Sequence, residues 1–467
     1  MYSLFKVKFN WPVFVVVVVI IRLLFPGISW LSYCAVIIAL HQFGLLFNSL
    51  GSIVPVRYFM GSFMCLQMYI GPVFAYNGLD IYQYGFYKMQ IPETAYFTYA
   101  LPAVAFFIAG LHITAGKLNG ERINKEAIAI FVQQNKMLPY YFIGIGFVGS
   151  ILADFFSSSL GFVFYLLGNF KYIGLFMIII GHKQLKPLPL TVVLASIISS
   201  SLGDAMFADL MTWILFIAAV YAIKLKPSVE LKAAATFGFI LLAVVIQQLK
   251  GEYRAATWKG GQQGSLQVFS NVYEVNKKSN SIFSFESLAP SNIRINQGFI
   301  VTNIMNTVPA KVPYAMGDEL LQILEAAFLP RILAPNKLNA GDRTIFMKYS
   351  GMPLAKGTSM GLSSLGDGYL NFGILGGCVF MFVLGYFYSE VLNAFQKHGK
   401  TYPVLLLFTG LVFYYPIRPD CELQTILGHL VKSCFLLFAM IQIWKIDFKV
   451  RSSKPIIAAY KGELEKG

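Results

Sequence analysis

The feature that most constrains this chain is a series of apolar runs, each about as long as a membrane is thick, which a polar stretch interrupts at residues 250–366. Of the 467 residues, 57% are hydrophobic and 13% are charged, a composition typical of membrane proteins and far from that of soluble domains. Because lipid cannot bond to backbone N–H and C=O groups, membrane spans must be helices or a closed barrel. The runs are continuous instead of alternating, so the sequence predicts an all-α, polytopic integral membrane protein.

A helix needs about 20 mostly apolar residues to cross the hydrocarbon core, and this length predicts about twelve spans, the first and eleventh of them short. We divide the chain into spans one to nine at 1–249, a large extracytoplasmic loop at 250–366, spans ten to twelve at 367–445 and a tail at 446–467. The predicted spans are 10–25, 29–48, 55–76, 95–115, 138–155, 160–181, 188–203, 206–223, 232–249, 368–389, 402–416 and 425–444.

The basic residues that give the chain its net charge of +15 are distributed among the loops in a pattern that matches the predicted topology. Lysines and arginines occupy every second loop and the carboxyl-terminal tail, whereas the short loops on the opposite side contain only Lys88 and Arg418. By the positive-inside rule, both termini are cytoplasmic and the large loop lies outside. The lipid bilayer is therefore the expected partner of this basic chain, and nucleic acid is not.

The large loop contains one clear amphipathic segment, residues 317–328. Leu320, Leu321, Leu324 and Phe328 fall on one helical face, and Pro330 follows where it would end the helix. We expect this helix to lie along the outer membrane surface.

Three basic residues of the loop are candidates for binding an anionic headgroup. Arg331 and Lys337 lie on a segment that contains two prolines, and Arg343 follows shortly after. An arginine holds phosphate through paired hydrogen bonds and a lysine acts as a point charge. The alternative is that Arg331 and Lys337 only touch lipid phosphates or solvent.

Asp367 stands between a run of small residues and the tenth predicted span, close to the outer interface. A carboxylate there could deprotonate a hydroxyl nucleophile, because partial burial raises the pKa of an acid toward the useful range. The alternative is a helix N-cap, a position at which aspartate is favoured.

The loop between the last two predicted spans brings charges together at Arg418 and Asp420. The cation could clamp a diphosphate leaving group, or it could simply pair with Asp420. Asp154, Asp204 and Asp209 are predicted at the outer ends of three other spans, where they could line a cavity shared with Asp367 or serve as caps.

Some common catalytic motifs do not occur in the sequence. We find no glycine-rich phosphate loop of the ATPase type, no D-x-D pair in the first outer loop and no H-E-x-x-H zinc motif. ATP-driven transport and metal-dependent sugar transfer both lose support, and we expect neither a metal site nor a cofactor.

Two segments of the chain carry a family resemblance. Residues 329–337 read LPRILAPNK and residues 364–377 read SLGDGYLNFGILGG. They resemble the PR…P.K and G(D/E).Y.NFG..G elements of the bacterial O-antigen polymerases, which polymerise oligosaccharide repeat units at the plasma membrane. Residues 418–420, Arg-Pro-Asp, are similar to the Arg-Gly-Asp loop of that family. Residues 201–204 depart from it, because an acid stands where many members have an arginine.

The resemblance implies a GT-C-like membrane glycosyltransferase in the bacterial inner membrane, with the large loop in the periplasm. Its substrates would be polyprenyl-diphosphate-linked glycans, joined by inverting, metal-independent transfer, and a chain-length regulator protein is a further candidate partner. Arg331, Arg343 and Arg418 would stabilise the diphosphate, with Asp367 as the favoured base and Asp420 as the other candidate.

The same motifs make Lys337, Tyr369 and Asn371 candidates for binding the diphosphate or the glycan. Two other functions remain open. An O-antigen ligase would use the same chemistry, but its pattern includes a loop histidine, and all five histidines lie outside the large loop. A lipid-linked oligosaccharide flippase or other transporter would suit twelve spans, although the long outer loop would be unusual for it.

Overall fold

The computed structural model describes residues 9–79, 87–115, 123–156, 158–184, 186–279, 292–293, 295–329, 333–334, 337–338, 341–356, 358–443 and 448–450. The regular structure of these residues is helical, with no strand among them.

The helices before the large loop follow the predicted apolar runs. In chain order they are α1 (Trp11–Leu24), α2 (Trp30–Ser49), α3 (Val56–Gly78), α4 (Glu93–His112), α5 (Lys125–Gln134), α6 (Leu138–Phe155), α7 (Leu160–Gly181), α8 (Pro187–Asp204), α9 (Ala208–Leu225) and α10 (Val229–Lys259). The remaining helices are α11 (Leu266–Ser279), α12 (Gly298–Thr307), α13 (Asp318–Phe328), α14 (Arg343–Ser350), α15 (Ser363–Gly399), α16 (Pro403–Val412) and α17 (Leu423–Ile443).

Within the described residues, ten helices are long and apolar enough to cross a bilayer. They correspond to every predicted span except the first and the eleventh, where α1 and α16 are shorter apolar helices. The prediction of a helical, membrane-embedded protein is therefore confirmed. The count of twelve spans stays a prediction, because α1 and α16 are too short to cross a bilayer of ordinary thickness.

The segment predicted as a loop is partly helical and packs on one end of the helix bundle. The backbone N–H of Leu320 donates to Asn371 Oδ1 at 3.4 Å, and that of Gly341 donates to Glu422 Oε1 at 2.6 Å. We call this end of the bundle the loop end. Its helices α12 to α14 thus surround the starts of α15 and α17.

Helix α13 confirms the predicted helix at 317–328 and ends at Phe328, as expected. One face, which includes Glu319 and Ile323, is buried and packs toward α17. Leu321 and Phe328 on the leucine-rich side remain 66% and 50% exposed. This leaves an apolar surface of the kind that a membrane-facing helix needs, and its contact with the membrane stays a prediction.

Among the described residues, the most extensive helix contact is that of α4 with α15, and glycines allow the two backbones to approach. A Cβ atom on Gly110 would overlap the carbonyl oxygen of Phe382, and one on Gly385 would overlap that of Phe107. Small residues at such crossings let two backbones approach closely in lipid, where tight packing drives helix association. This pair carries Asp367 at its loop end.

Candidate functional site

Arg418 is the centre of a charged cluster at the loop end, in the connection between α16 and α17. Its guanidinium lies 3.6 Å from Asp209 Oδ1 and 3.9 Å from Asp420 Oδ2. The hydroxyl of Tyr414 donates to Asp209 at 2.5 Å. We call these four residues the Arg418 cluster. The predicted pairing of Arg418 with Asp420 is present, and Asp209 is a second carboxylate partner.

Aromatic rings hold the cation in place. The Arg418 guanidinium lies 5.8 Å from the ring centre of Tyr414 and 5.5 Å from that of Tyr415. Tyr414 in turn stacks on Trp213, with centres 5.4 Å apart and planes inclined by 23°. A guanidinium between rings and carboxylates has little freedom to move, so the site is preorganised.

The Arg418 side chain is enclosed but still reachable, since 19% of it is exposed. Burial by itself lowers the pKa of this guanidinium, but neighbouring groups, Cys421 and Asp420 first among them, raise it well above its ordinary value. Arg418 is therefore cationic throughout the physiological pH range. Its two carboxylate partners, Asp209 and Asp420, partly neutralise this charge, so an anion that binds Arg418 competes with them.

Asp367 lies in the second turn of α15, with 5% of its surface exposed. The N-cap of α15 is Leu362, so the alternative that Asp367 caps this helix is wrong. Its Oδ2 atom is buried and has no hydrogen-bond partner in the described residues. Buried polar atoms are nearly always bonded, and an exception calls for an explanation, of which a catalytic role is one.

Two other acids stand close to Asp367. The carboxyl group interacts with the charges of Glu422 and Glu319 and with the backbone N–H of Leu423. Glu319 is itself engaged, because it accepts from the Tyr349 hydroxyl at 2.8 Å and from Lys348 Nζ at 3.1 Å. Asp367 is thus the acid of this group with a buried oxygen that has no hydrogen-bond partner in the described residues.

The segment 418–423 joins these features into one site. Asp420 accepts a hydrogen bond from Gln67 Nε2 at 3.5 Å, and Glu422 accepts from Thr425 Oγ1 at 2.6 Å. Burial raises the pKa of Glu422. Within a few residues this segment therefore touches α3, the large loop, α9 and the start of α15.

The described basic candidates of the large loop, Lys337 and Arg343, are engaged away from the Arg418 cluster. Arg331 lies outside the described residues. Lys337 Nζ donates to the carbonyls of Ala326 and Leu329, at 2.9 and 2.5 Å, and so stabilises the end of α13. Arg343 lines a separate cavity of about 410 Å³ together with Lys356.

Tyr369 and Asn371 are both buried in the fold around Asp367. The Tyr369 hydroxyl donates to the carbonyl of Val308 at 3.4 Å, and its ring lies 5.1 Å from that of Tyr99. Asn371 Nδ2 donates to the carbonyl of Asp367 at 2.9 Å. These contacts orient the helical segment that carries Asp367, and binding of glycan by either residue stays a prediction.

Gly373 divides α15 just after this segment. Its φ of 66° and ψ of −159° are open to glycine and strained for other residues, and they break the helix between the segment with Asp367 and the long apolar part. A broken helix at membrane depth is tolerated where the freed backbone is buried in protein or lines a polar cavity. The NFG sequence therefore places Asp367 on a short, separately oriented segment.

Some site residues were not assigned a role from the sequence. The sequence places Asp209 at the end of a predicted span, but it does not predict that Asp209 pairs with Arg418, because the two residues lie far apart in the chain. Gln67 and Glu319 gave no signal beyond being polar residues in or near apolar runs. In the described part of the chain, no three His, Cys, Asp or Glu side chains are grouped as metal ligands would be.

Comparisons with models of known families, with curated proteins and with solved structures gave no match to this chain.

Proposed function

We propose that this chain polymerises polyprenyl-diphosphate-linked oligosaccharide repeat units into a surface polysaccharide, as an inverting, metal-independent glycosyltransferase. The observation that carries the proposal is the arrangement at the loop end. A reachable, permanently charged arginine and a buried carboxyl group with a free oxygen are joined by one short segment, 418–423. The motifs at 329–337 and 364–377 point to the same chemistry.

The reaction needs a base on one side of the sugar and a cation on the other. The hydroxyl at the nonreducing end of a lipid-linked repeat unit attacks the anomeric carbon of the growing glycan. The bond from that carbon to the diphosphate oxygen breaks, and its electron pair leaves with the polyprenyl diphosphate. The proton of the hydroxyl passes to a carboxylate, and displacement from the opposite face inverts the anomeric centre.

The contacts favour Asp367 as the base and Arg418 as the leaving-group cation. Asp420 is held by Arg418 and Gln67, whereas Asp367 keeps Oδ2 without a hydrogen bond. Arg418 would stabilise the charge that develops on the diphosphate, a contribution that grows in a site shielded from water. The cavity with Arg343 and Lys356 would hold the phosphates of the second lipid-linked substrate.

The membrane setting agrees with a lipid-linked substrate. Both substrates would carry their diphosphates at the interface and their isoprenoid chains in the bilayer, next to the apolar helices of the bundle. We therefore place the loop end on the outer face of a bacterial plasma membrane, with both termini in the cytoplasm. This is the orientation that the distribution of lysine and arginine predicts.

The test is deletion of the gene in its host, followed by separation of the surface glycans by size. Loss of a polymerase leaves single repeat units on the surface. Loss of a ligase leaves long lipid-linked chains unattached, and loss of a flippase traps repeat units inside the cell. Either of the last two results would overturn the proposal.

Complementation of the deletion then tests the site. Asp367→Asn keeps the size of the side chain and removes the carboxylate that would accept the proton of the attacking hydroxyl. We therefore expect only single repeat units to be made. The matched control is Asp318→Asn in α13, which removes the charge of an exposed aspartate in the large loop. Full-length glycan from Asp367→Asn would remove Asp367 from the mechanism.

A further inference from the structure

A second charged site lies at the other end of the bundle from Arg418. Helix α9 begins beside the Arg418 cluster, since Asp209 is in its first turn, and it runs for 18 residues. At 1.5 Å per residue it spans about 27 Å, enough to reach the other side of the hydrocarbon core. The end of α9, at Ile223, and Lys226 just after the helix line a cavity of about 400 Å³.

Four helices meet at this cavity, which we call the lysine cavity. Helices α2 and α9 end there, and α5 and α10 begin there. Two carbonyl ends and two N–H ends of helix dipoles come together, so their opposite partial charges largely cancel. The sign of the potential in the cavity is therefore decided by side chains.

The side chains that decide it are three lysines. Lys125, Lys226 and Lys232 line the cavity, and no ion pair joins any of them to an acid within the part of the chain that the structure describes. Glu230, two residues before Lys232 in the chain, interacts with the hydroxyl of Ser228 instead. The cavity thus collects positive charge, and none of its described lining residues is an acid.

The need to cap a helix explains only one of these lysines. Lys125 Nζ donates to the carbonyl of Ile223 at 3.1 Å, a common way to satisfy the end of a helix. Burial, and after it the ammonium group of Lys226, lowers the pKa of Lys125. Two like charges held this close repel each other, and an anion between them would relieve the repulsion.

The remainder of the cavity wall is mostly apolar, with Leu50, Ile123, Ile223 and Pro227 beside Gly51 and Ser52. Ammonium groups above an apolar wall suit a compact anion that is attached to, or lies beside, a hydrophobic group. We propose that the lysine cavity binds a phosphate group, supplied either by an anionic lipid headgroup or by a soluble phosphate. This site is independent of the reaction proposed for the loop end.

The test uses the whole purified protein in nanodiscs of neutral phosphatidylcholine. Phosphatidylglycerol is added in one arm, with bound lipid counted by native mass spectrometry. Inorganic phosphate is added in the other arm, with the shift in Tm as the readout. Binding in the first arm identifies a lipid source, and binding in the second arm alone identifies a soluble one.

The variant that tests the cavity is Lys226→Gln combined with Lys232→Gln. Because each lysine near a phosphate contributes modestly, we expect the pair to weaken binding roughly tenfold or more. Chain extension at the loop end should remain, which separates this result from a failure of the proposed function.

The control variant is Lys136→Gln combined with Lys397→Gln. Both lysines are exposed and lie outside the cavity. This variant therefore loses as many positive charges as the cavity variant and leaves the cavity unchanged. At the start of α6, just after Lys136, the Tyr140 hydroxyl accepts a hydrogen bond from Lys186, and the nearby carbonyl of His182 accepts one from Lys224 at the end of α9. Toward the end of α15, the Ser389 hydroxyl accepts one from Arg57 at the start of α3. Both control lysines therefore lie at the same end of the bundle as the lysine cavity. Equal binding by the cavity variant and the control variant, in both arms, would overturn the proposal.

Discussion

Replacement of Arg418 by glutamine gives the sharpest prediction about the proposed site. The guanidinium lies 3.6 and 3.9 Å from two carboxylates, and Asp209 and Asp420 are 51% and 28% exposed. Pairs this accessible to water contribute at most about 1 kcal/mol each, so Arg418→Gln should still fold. A cation that stabilises a leaving diphosphate contributes much more to the reaction, about 2.7–4 kcal/mol, because the charge develops in the transition state.

The expected result is a loss of chain extension by roughly 10²- to 10³-fold with little change in Tm. Arg418→Lys should lose less, about tenfold, because lysine keeps the charge but not the paired hydrogen bonds. The assay is extension of polyprenyl-diphosphate-linked repeat units by the purified protein in lipid, with products counted by size on a gel.

Asp209→Asn is the matched control for this series. It removes one carboxylate that competes for Arg418, while the amide oxygen still accepts from Tyr414. We expect its rate to equal or exceed that of the wild type. Arg418→Gln extending chains within threefold of the wild-type rate, with a normal Tm, would refute the assignment of Arg418 to the leaving group.

Two further predictions concern the fold. Gly110→Val places methyl groups against the Phe382 carbonyl and should lower stability by about 1–3 kcal/mol, whereas Gly144→Val, with nothing within 4 Å, should cost far less in the same denaturation experiment. Burial raises the pKa of Glu422 above its ordinary value of 4.5, so the folded state favours the protonated side chain. The stability that this protonated side chain contributes is complete below pH 4.5 and is lost as the pH rises through the raised pKa. Glu422→Gln does not titrate, and its Tm should exceed that of the wild type by a margin that grows from pH 4 to pH 8; parallel curves would contradict this.

Helix α13 shows what a local sequence pattern can predict and what it cannot. The spacing of Leu321 and Phe328 predicts a helix, and α13 is that helix, because helical periodicity depends only on neighbours in the chain. The face that packs toward α17 contains Glu319 and Ile323 instead. No local pattern predicts this, since Glu319 is buried only because Tyr349 and Lys348 bond to it.

The site was predicted only in part for the same reason. The sequence singles out Asp367, Arg418 and Asp420, because charges beside apolar runs are few and costly. It does not show that Asp367 lies inside a helix turn and not at the cap, or that Asp209 pairs with Arg418. These facts depend on where α15 starts and on how α9 packs against the loop before α17.

By itself, the sequence determines that the lipid bilayer surrounds this protein and where its long helices lie along the chain. Lipid enforces helical spans of a set length, and that requirement is met residue by residue along the chain. The tertiary structure alone decides which polar groups meet, because the ends of distant helices are brought together by packing. Arg418 beside Asp209 at one end of α9, and at the other end three lysines that pair with no acid among the described residues, are results of that packing.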